Sequence, residues 1–136
     1  MSYLRPLFLA SSFVPLALVA ASSPQCFAKG QGQFAKDEAT AALNNVCDEL
    51  LYGGLAPKPS VDLQKTQSTC RTFPDYPGKA YQFTIEPLMA AEHKKLTHDD
   101  CATLLSDILD ECARGGWDRT DHGEFELRAD PQGTQC

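Results

Sequence analysis

Two segments of the chain carry apolar residues at the three- and four-residue spacing that is typical of an amphipathic helix. The first segment is "DEATAALNNVCDELLYGG", residues 37–54, and the second is "THDDCATLLSDILDECARGG", residues 97–116. Cysteines belong to both apolar stripes: Cys47 lies in the first, and Cys101 and Cys112 lie in the second. We therefore expect both helices to turn cysteines toward one shared core.

The ends of both segments carry residues that favour helix termini. Asp37 and Glu38 stand where the helix dipole favours negative charge, and Thr97 is a good N-cap for the second helix. Each segment closes on a pair of glycines, Gly53-Gly54 and Gly115-Gly116, which can adopt the left-handed conformation of a C-cap. These signals predict that each double glycine ends a helix.

Alternating apolar and polar residues predict strands at 79–87 and 123–131. A Thr-rich polar stretch at 64–73 is predicted to be an edge strand, and 24–30 is a weaker strand candidate. The resulting order is strand, helix, strand, strand, helix, strand. Such a split βαββαβ order predicts an α+β fold with two helices on one face of a small antiparallel sheet.

The first 21 residues have the layout of a secretory signal peptide. Arg5 precedes an uncharged run, and small residues end it at Ala21. A membrane anchor is the alternative, but the run is short of the ~20 apolar residues that cross a bilayer. We expect a single secreted domain, residues 22–136, with eleven Lys and Arg against eighteen Asp and Glu, a net charge of −7.

This acidity affects the classes of partner that we expect. A net negative domain repels phosphate backbones and anionic membrane surfaces, so we expect no nucleic-acid binding. No second apolar run follows the leader, so we expect no stable membrane insertion either. No sequence motif indicates a cofactor, and we expect the protein to be a monomer.

Six cysteines lie in the predicted mature chain, and behind a signal peptide an even count indicates three disulfides. A metal site is the less favoured interpretation, because the sequence has no C-x-x-C and no paired Cys or His at the spacing that metal ligands show. Six cysteines allow fifteen pairings. The split βαβ topology favours the pairs Cys26–Cys136, Cys47–Cys101 and Cys70–Cys112.

Residues that could carry chemistry are few. His98 and His122 each stand near acidic residues, as a nuclease or glycosidase would need, but a solvated acidic loop is the preferred interpretation. A divalent-cation site at Asp118, Asp121 and Glu124 is a weaker interpretation.

Loops and turns offer candidates for recognition. The loops at 54–62, 74–79 and 117–122 are expected to carry binding residues. The candidate recognition residues are Tyr76, Trp117, Arg119 and His122. The dibasic pair Lys94-Lys95 is either a processing site or, by preference, solvated charge.

One sequence pattern resembles a known class of proteins. A leader, six cysteines, the stretch "CATLLSDILDEC" at 101–112, a double glycine and a strand ending in Asp-Pro resemble small secreted cysteine-rich proteins of filamentous fungi, many of them candidate effectors. The strand–helix order also resembles the killer toxins encoded by viruses of smut fungi. The resemblance implies a secreted α/β sandwich and carries over no catalytic residue.

Three functions follow as hypotheses. The first is a non-enzymatic effector that binds a host protein or glycan to modulate defence. The second is a membrane-active toxin of the killer type, and the third is a small secreted hydrolase. An exposed apolar helix face would favour the toxin, and a cleft joining His98 or His122 to two carboxylates would favour the hydrolase. A closed core with flat polar faces would favour the binder.

Overall fold

Both helices form in the computed structural model, which describes residues 23–88 and 95–136. Helix α1 spans Lys36–Tyr52, and helix α2 spans His98–Glu111. Each helix begins within one residue of the start that its apolar stripe predicts. The predicted signal peptide, residues 1–21, lies outside the described residues.

Within the described residues, five antiparallel strands form one sheet in the order β1-β4-β5-β3-β2. The strands are β1 (Gln25–Cys26), β2 (Gln67–Thr72), β3 (Ala80–Pro87), β4 (Gly116–Arg119) and β5 (Phe125–Gln132). Helix α1 contacts β2 and β3, and helix α2 contacts β4, β5 and β1. The predicted α+β class, with both helices on one face of an antiparallel sheet, is confirmed.

Strand β4 is the element that the sequence analysis missed. It consists of "GWDR", whose last three residues fall in the loop predicted at 117–122 and whose first, Gly116, belongs to the double glycine predicted to end α2. A strand this short offers too few positions for an alternating pattern to be recognised, and its edge pairing with β1 and β5 is a tertiary effect. The prediction of a recognition loop at 117–122 is therefore wrong for its first three residues.

The core lies between the helices and the inner face of the sheet, which is the face that the helices cover. Strand alternation sends every second side chain of β3 and β5 into this core. The helices contribute the apolar stripes that their sequence predicted, including Val46, Leu105 and Ile108, none of which is exposed. The inward sheet residues, none of which is exposed either, are Tyr81, Phe83, Ile85, Phe125, Leu127 and Ala129.

Helix α1 ends as predicted, and helix α2 begins as predicted. Gly53 takes a left-handed conformation (φ 55°), and its N–H donates to the Glu49 carbonyl oxygen at 3.0 Å. The hydroxyl of Thr97 accepts a hydrogen bond from the N–H of Asp100 at 3.1 Å. These bonds satisfy backbone groups that a helix terminus otherwise leaves without a partner.

The prediction that Gly115-Gly116 ends α2 is wrong. The helix stops at Glu111, and Cys112 is its C-cap in an extended conformation. The side-chain amide of Gln33 donates to the carbonyl oxygens of Leu109 and Cys112, at 2.6 and 2.7 Å. The glycines are thus not needed as caps, because a side chain from a distant loop satisfies these carbonyl groups.

The double glycine instead lets three segments pack closely at the junction between α2 and β4. Gly115 has a φ of +73°, and a Cβ there would overlap the Ala129 carbonyl oxygen. A Cβ at Gly116 would overlap the Gln25 carbonyl oxygen and lie 3.0 Å from the Cys112 sulfur. Both positions therefore require glycine, because the backbone of β1 and β5 and the Cys112 sulfur leave no room for a Cβ.

Three disulfides link the cysteines, and the described residues contain no free cysteine. The predicted pair Cys47–Cys101 is confirmed, and it joins α1 to α2 with both residues fully buried. The other two bridges are Cys26–Cys112 and Cys70–Cys136.

The predicted pairs Cys26–Cys136 and Cys70–Cys112 are wrong. The prediction lacked strand β4, and this strand changes which chain segments lie next to each other in the sheet. Strand β1 pairs with β4, which places Cys26 opposite Gly116, immediately beyond the end of α2 and within reach of Cys112. Strand β5 lies beside β3, with Gln132 next to Ala80, so the tail that follows it reaches β2 and Cys70.

Candidate functional site

The outer face of the sheet, opposite the helices, is polar and carries two of the predicted recognition residues. Its side chains alternate with the buried inward set along the same strands. Trp117 and Arg119 lie on this face in β4 and are paired in register with Arg128 and Glu126 of β5. The other positions of β3 and β5 with the same alternation are Ala80, Gln82, Thr84, Glu86, Asp130 and Gln132.

Two arginines of this outer face stack on aromatic rings. The Arg119 guanidinium lies 5.0 Å from the centre of the Trp117 ring, and that of Arg128 lies 5.5 Å from the centre of the Phe27 ring. Guanidinium groups in this position are attracted by the negative face of the ring. Both long side chains are therefore held in defined places although they are exposed.

Glu126 joins these two arginines. Its carboxylate lies 3.5 Å from Arg119 and 3.2 Å from Arg128, and only 11% of its side chain is exposed. A carboxylate that accepts from two guanidinium groups restrains both of them. The outer face thus contains an ordered row of charged and aromatic groups around Trp117.

The other two predicted recognition residues do not join this row. Tyr76 lies in the turn between β2 and β3, half-buried, with its ring 5.5 Å from the Phe34 ring. His122 is exposed in the turn between β4 and β5, next to the start of β5, which pairs with the end of β3. The two residues therefore lie at opposite ends of the sheet.

His122 lines a cleft between the β4–β5 turn and the start of α2. This hairpin cleft has a volume of about 340 Å³. Four carboxylates line it, and its polar residues are Lys95, Asp99, Asp100, Thr103, Thr120, Asp121, His122 and Glu124. Within the described residues, neither ring nitrogen of His122 forms an ion pair with a carboxylate.

His98 is occupied elsewhere. Its Nε2 lies 3.1 Å from the Asn44 carbonyl oxygen and 3.1 Å from an Asp48 carboxylate oxygen, both on α1. The ring also stacks on Tyr52, with 6.3 Å between the ring centres. His98 therefore ties the two helices together and takes no part in the hairpin cleft.

The three residues considered as a cation site are divided between two places. Asp118 points inward from β4 and is 4% exposed, whereas Asp121 and Glu124 line the hairpin cleft. Across residues 23–88 and 95–136, no group of three or more His, Cys, Asp or Glu is arranged to hold a metal ion.

Asp118 is a buried carboxyl on the helix side of the sheet. Its Oδ1 accepts a hydrogen bond from the Arg119 N–H at 2.8 Å. Burial raises the pKa of Asp118 above its ordinary value, and the nearby charges of Asp107 and Asp121 raise it further. Because Asp118 is buried, its ionisation is expected to affect the stability of the fold. For the same reason it is not available to a ligand on the outer face.

Phe27, Glu126 and Arg128 also belong to the outer face, although none of them is among the predicted recognition residues. The alternation of the segment 123–131 does contain the signal for two of them, because Glu126 and Arg128 alternate with Phe125, Leu127 and Ala129. Phe27 carries no such signal, since it reaches Arg128 only through the pairing of β1 with β4.

Of the predicted dibasic pair, Lys94 lies outside the described residues.

Comparison with models of protein families, with curated proteins and with solved structures found no match. The resemblance to fungal effectors and to killer toxins therefore stays a prediction. Among the helices that the structure describes, none has the length and apolar character needed to cross a bilayer. Of the large apolar side chains described, only Leu55 is exposed, and it lies in the loop after α1.

Proposed function

We propose that this protein is a secreted, non-enzymatic binding protein of the effector type, and that it binds a host protein through the outer face of its sheet. The observation that carries this proposal is the ordered row around Trp117. Arg119, Arg128 and Glu126 hold each other in place on a face that the helices leave open. The three disulfides support release into an oxidising compartment.

A protein fits this face better than a glycan does. Sugar rings usually stack on an open aromatic face, and here arginines already lie over the rings of Trp117 and Phe27. Tryptophan and arginine are enriched at the energetic centres of protein–protein interfaces. A face whose long side chains are already held in place also loses little conformational entropy on binding.

A small hydrolase is the second candidate, because the hairpin cleft brings His122 together with four carboxylates. A general base is normally oriented by a hydrogen bond to a third group. In the described residues the His122 ring lacks such a partner among the carboxylates, and His98 is held by α1. The cleft therefore supports hydrolysis less well than the outer face supports binding.

The proposal is tested by capture from host extracellular fluid with the secreted, disulfide-bonded protein as bait. Trp117→Ala and Arg119→Ala are each expected to lower the affinity for the captured partner at least tenfold, a loss typical of residues at the centre of an interface. Lys65→Ala, an exposed residue before the far edge strand, is the matched control and is expected to bind like the parent protein. Mass spectrometry identifies the partner, and titration with the purified partner gives each dissociation constant.

Two outcomes would contradict the proposal. If Trp117→Ala and Lys65→Ala both bind like the parent protein, the outer face is not the recognition surface. If His122→Ala alone abolishes turnover of a host polymer while capture is unaffected, the hydrolase replaces the binder. Circular dichroism and thermal unfolding of each variant separate these results from loss of the fold.

A further inference from the structure

A groove of about 570 Å³ opens beside the row around Trp117, between the segment that follows β1 and the end of β5. Its charged walls are Lys29, Arg128 and Asp130. The side chains of Gln31 and Gln132 line it as well, and the Phe27 ring, under the Arg128 guanidinium, forms an apolar wall. The groove therefore offers cations, amide groups and an apolar surface to a ligand.

The charge of this groove differs from that of the whole protein. The chain as a whole has a net charge of −6, whereas two cations and one carboxylate line the groove. Burial raises the pKa of the Asp130 carboxyl, whereas a hydrogen bond with the Gln132 side chain and the nearby Arg128 charge lower it. The exposed Lys29 and the donors of Arg128 that Glu126 does not use offer a carboxylate two cationic partners, although the molecule as a whole is acidic.

The Arg128 guanidinium is oriented and still has donors to offer. Among the described residues, its hydrogen bond is to Glu126, at 3.2 Å, through one terminal nitrogen. A guanidinium carries five N–H donors in a planar fork, so the remaining donors can hold a second carboxylate. Stacking on Phe27 fixes the plane of this fork, and 44% of the side chain is exposed to a ligand.

We propose that this groove seats an acidic segment of the partner protein, with an Asp or Glu carboxylate bound between Arg128 and Lys29. The inference rests on the proposed function and adds the chemistry of the partner to it. An extended polyanion, such as a nucleic acid or a polymer of uronic acids, is repelled by the net negative charge of the domain. A peptide with one or two carboxylates can instead bind Lys29 and Arg128 without bringing a long run of negative charge against the domain.

The test uses a synthetic peptide in which two Glu residues are flanked by Gly and Ser, together with the same peptide carrying Gln in their place. Titration into the ¹⁵N-labelled secreted protein is followed by NMR. The Glu peptide is expected to shift the amide signals of residues 27–31 and 128–133, and the Gln peptide is expected to leave them in place. Rising salt concentration is expected to weaken the binding, because exposed charges are screened.

Three variants measure the contribution of the individual charges. Arg128→Gln is expected to weaken peptide binding roughly threefold to fivefold, as the loss of one exposed charge pair does. Asp130→Asn is expected to tighten it about twofold, because it removes the carboxylate that repels the ligand. Lys65→Gln makes the same change of net charge as Arg128→Gln at a distant exposed site and is expected to have no effect.

The inference is overturned if the peptide shifts no groove signal, if Lys65→Gln weakens binding as much as Arg128→Gln, or if a uronic-acid oligosaccharide binds and the peptide does not. Its failure is distinct from failure of the proposed function. Capture that depends on Trp117 and Arg119, without peptide binding, removes the groove and leaves the outer face. Peptide binding without such capture retains the groove and removes the proposed function.

Discussion

The two faces of the sheet share the same strands and differ in almost every other respect. Along β3, Phe83 faces the helices and is fully buried, whereas its neighbour Gln82 faces outward and is exposed. Along β5, Leu127 and Arg128 are divided in the same way. The inner face stabilises the fold through apolar burial, whereas the outer face carries polar side chains whose contacts are ion pairs and cation–π pairs. The same strands therefore combine a packed apolar layer with an outer layer of polar side chains.

The largest contrast is expected between Phe83→Ala and Gln82→Ala. Phe83 fills the core between Tyr81 and the helices, so its truncation is expected to lower the free energy of unfolding by about 3–5 kcal/mol. Gln82→Ala is expected to change it by less than about 0.5 kcal/mol, as surface substitutions do. Urea unfolding of the disulfide-bonded protein measures both values. Similar losses in the two variants would show that the outer face also belongs to the packed structure.

The second contrast concerns Gly116, the second residue of the double glycine and the first residue of β4. Gly116→Ala places a Cβ against the Gln25 carbonyl oxygen and the Cys112 sulfur, so we expect a loss of about 1–3 kcal/mol from overpacking. Gly32→Ala is the matched control, because a Cβ there meets nothing within 4 Å. We expect it to change the free energy of unfolding by no more than about 1 kcal/mol.

Thermal unfolding followed by circular dichroism compares these two glycine variants, and peptide mapping shows whether Cys26–Cys112 still forms. If Gly116→Ala and Gly32→Ala unfold at the same temperature, close backbone approach is not the reason for a glycine at position 116.

Asp118 is the exception to the apolar inner face, and its effect on stability should depend on pH. Its raised pKa means that the protonated form is favoured in the folded protein, so its stabilising contribution is present below its ordinary value of 3.8 and is lost as pH rises through the folded pKa. Asp118→Asn is therefore expected to increase stability at pH 7 by about 1 kcal/mol, because no charge is buried. The exposed Asp121→Asn should change it by less than about 0.5 kcal/mol.

Urea unfolding between pH 3 and pH 7 tests this expectation for Asp118. The advantage of Asp118→Asn over the parent protein should shrink as pH falls, because the parent carboxyl becomes neutral as well. An advantage that is independent of pH would mean that the amide gains a new contact and that burial of the charge is not the cause.

Sequence reasoning predicted the elements whose pattern is periodic and failed where a pairing depended on position in space. The apolar stripes of α1 and α2 and the alternation in β3 and β5 were sufficient for the fold class. Strand β4 has only four residues, and missing it displaced the predicted partners of Cys26 and Cys70. Trp117 and Arg119 were recognised as residue types suited to binding, whereas their association with Arg128 depends on sheet register, which the sequence pattern does not contain.

The smallest contrast is provided by Glu49, a carboxylate at the rim of the core whose pKa shift has the opposite sign to that of Asp118. Hydrogen bonds from the Thr69 hydroxyl and from Arg71 lower the pKa of Glu49 below its ordinary value of 4.5. Its stabilising contribution is therefore present above that value and is lost as pH falls through the folded pKa. Because 51% of the side chain is exposed, solvent screens the interaction, and Glu49→Gln is expected to cost less than about 0.5 kcal/mol at pH 7.

A double-mutant cycle with Glu49→Gln and Arg71→Gln isolates the pair. We expect a small favourable coupling at pH 7 that disappears at low pH, where Glu49 is protonated, and the change with pH should run opposite to that of Asp118→Asn. The two carboxylates would then have opposite effects on the pH dependence of the free energy of unfolding. The buried Asp118 favours folding when it is neutral, and the exposed Glu49 favours folding when it is charged. A coupling that persists at low pH would instead assign the interaction to packing of the Arg71 side chain against α1.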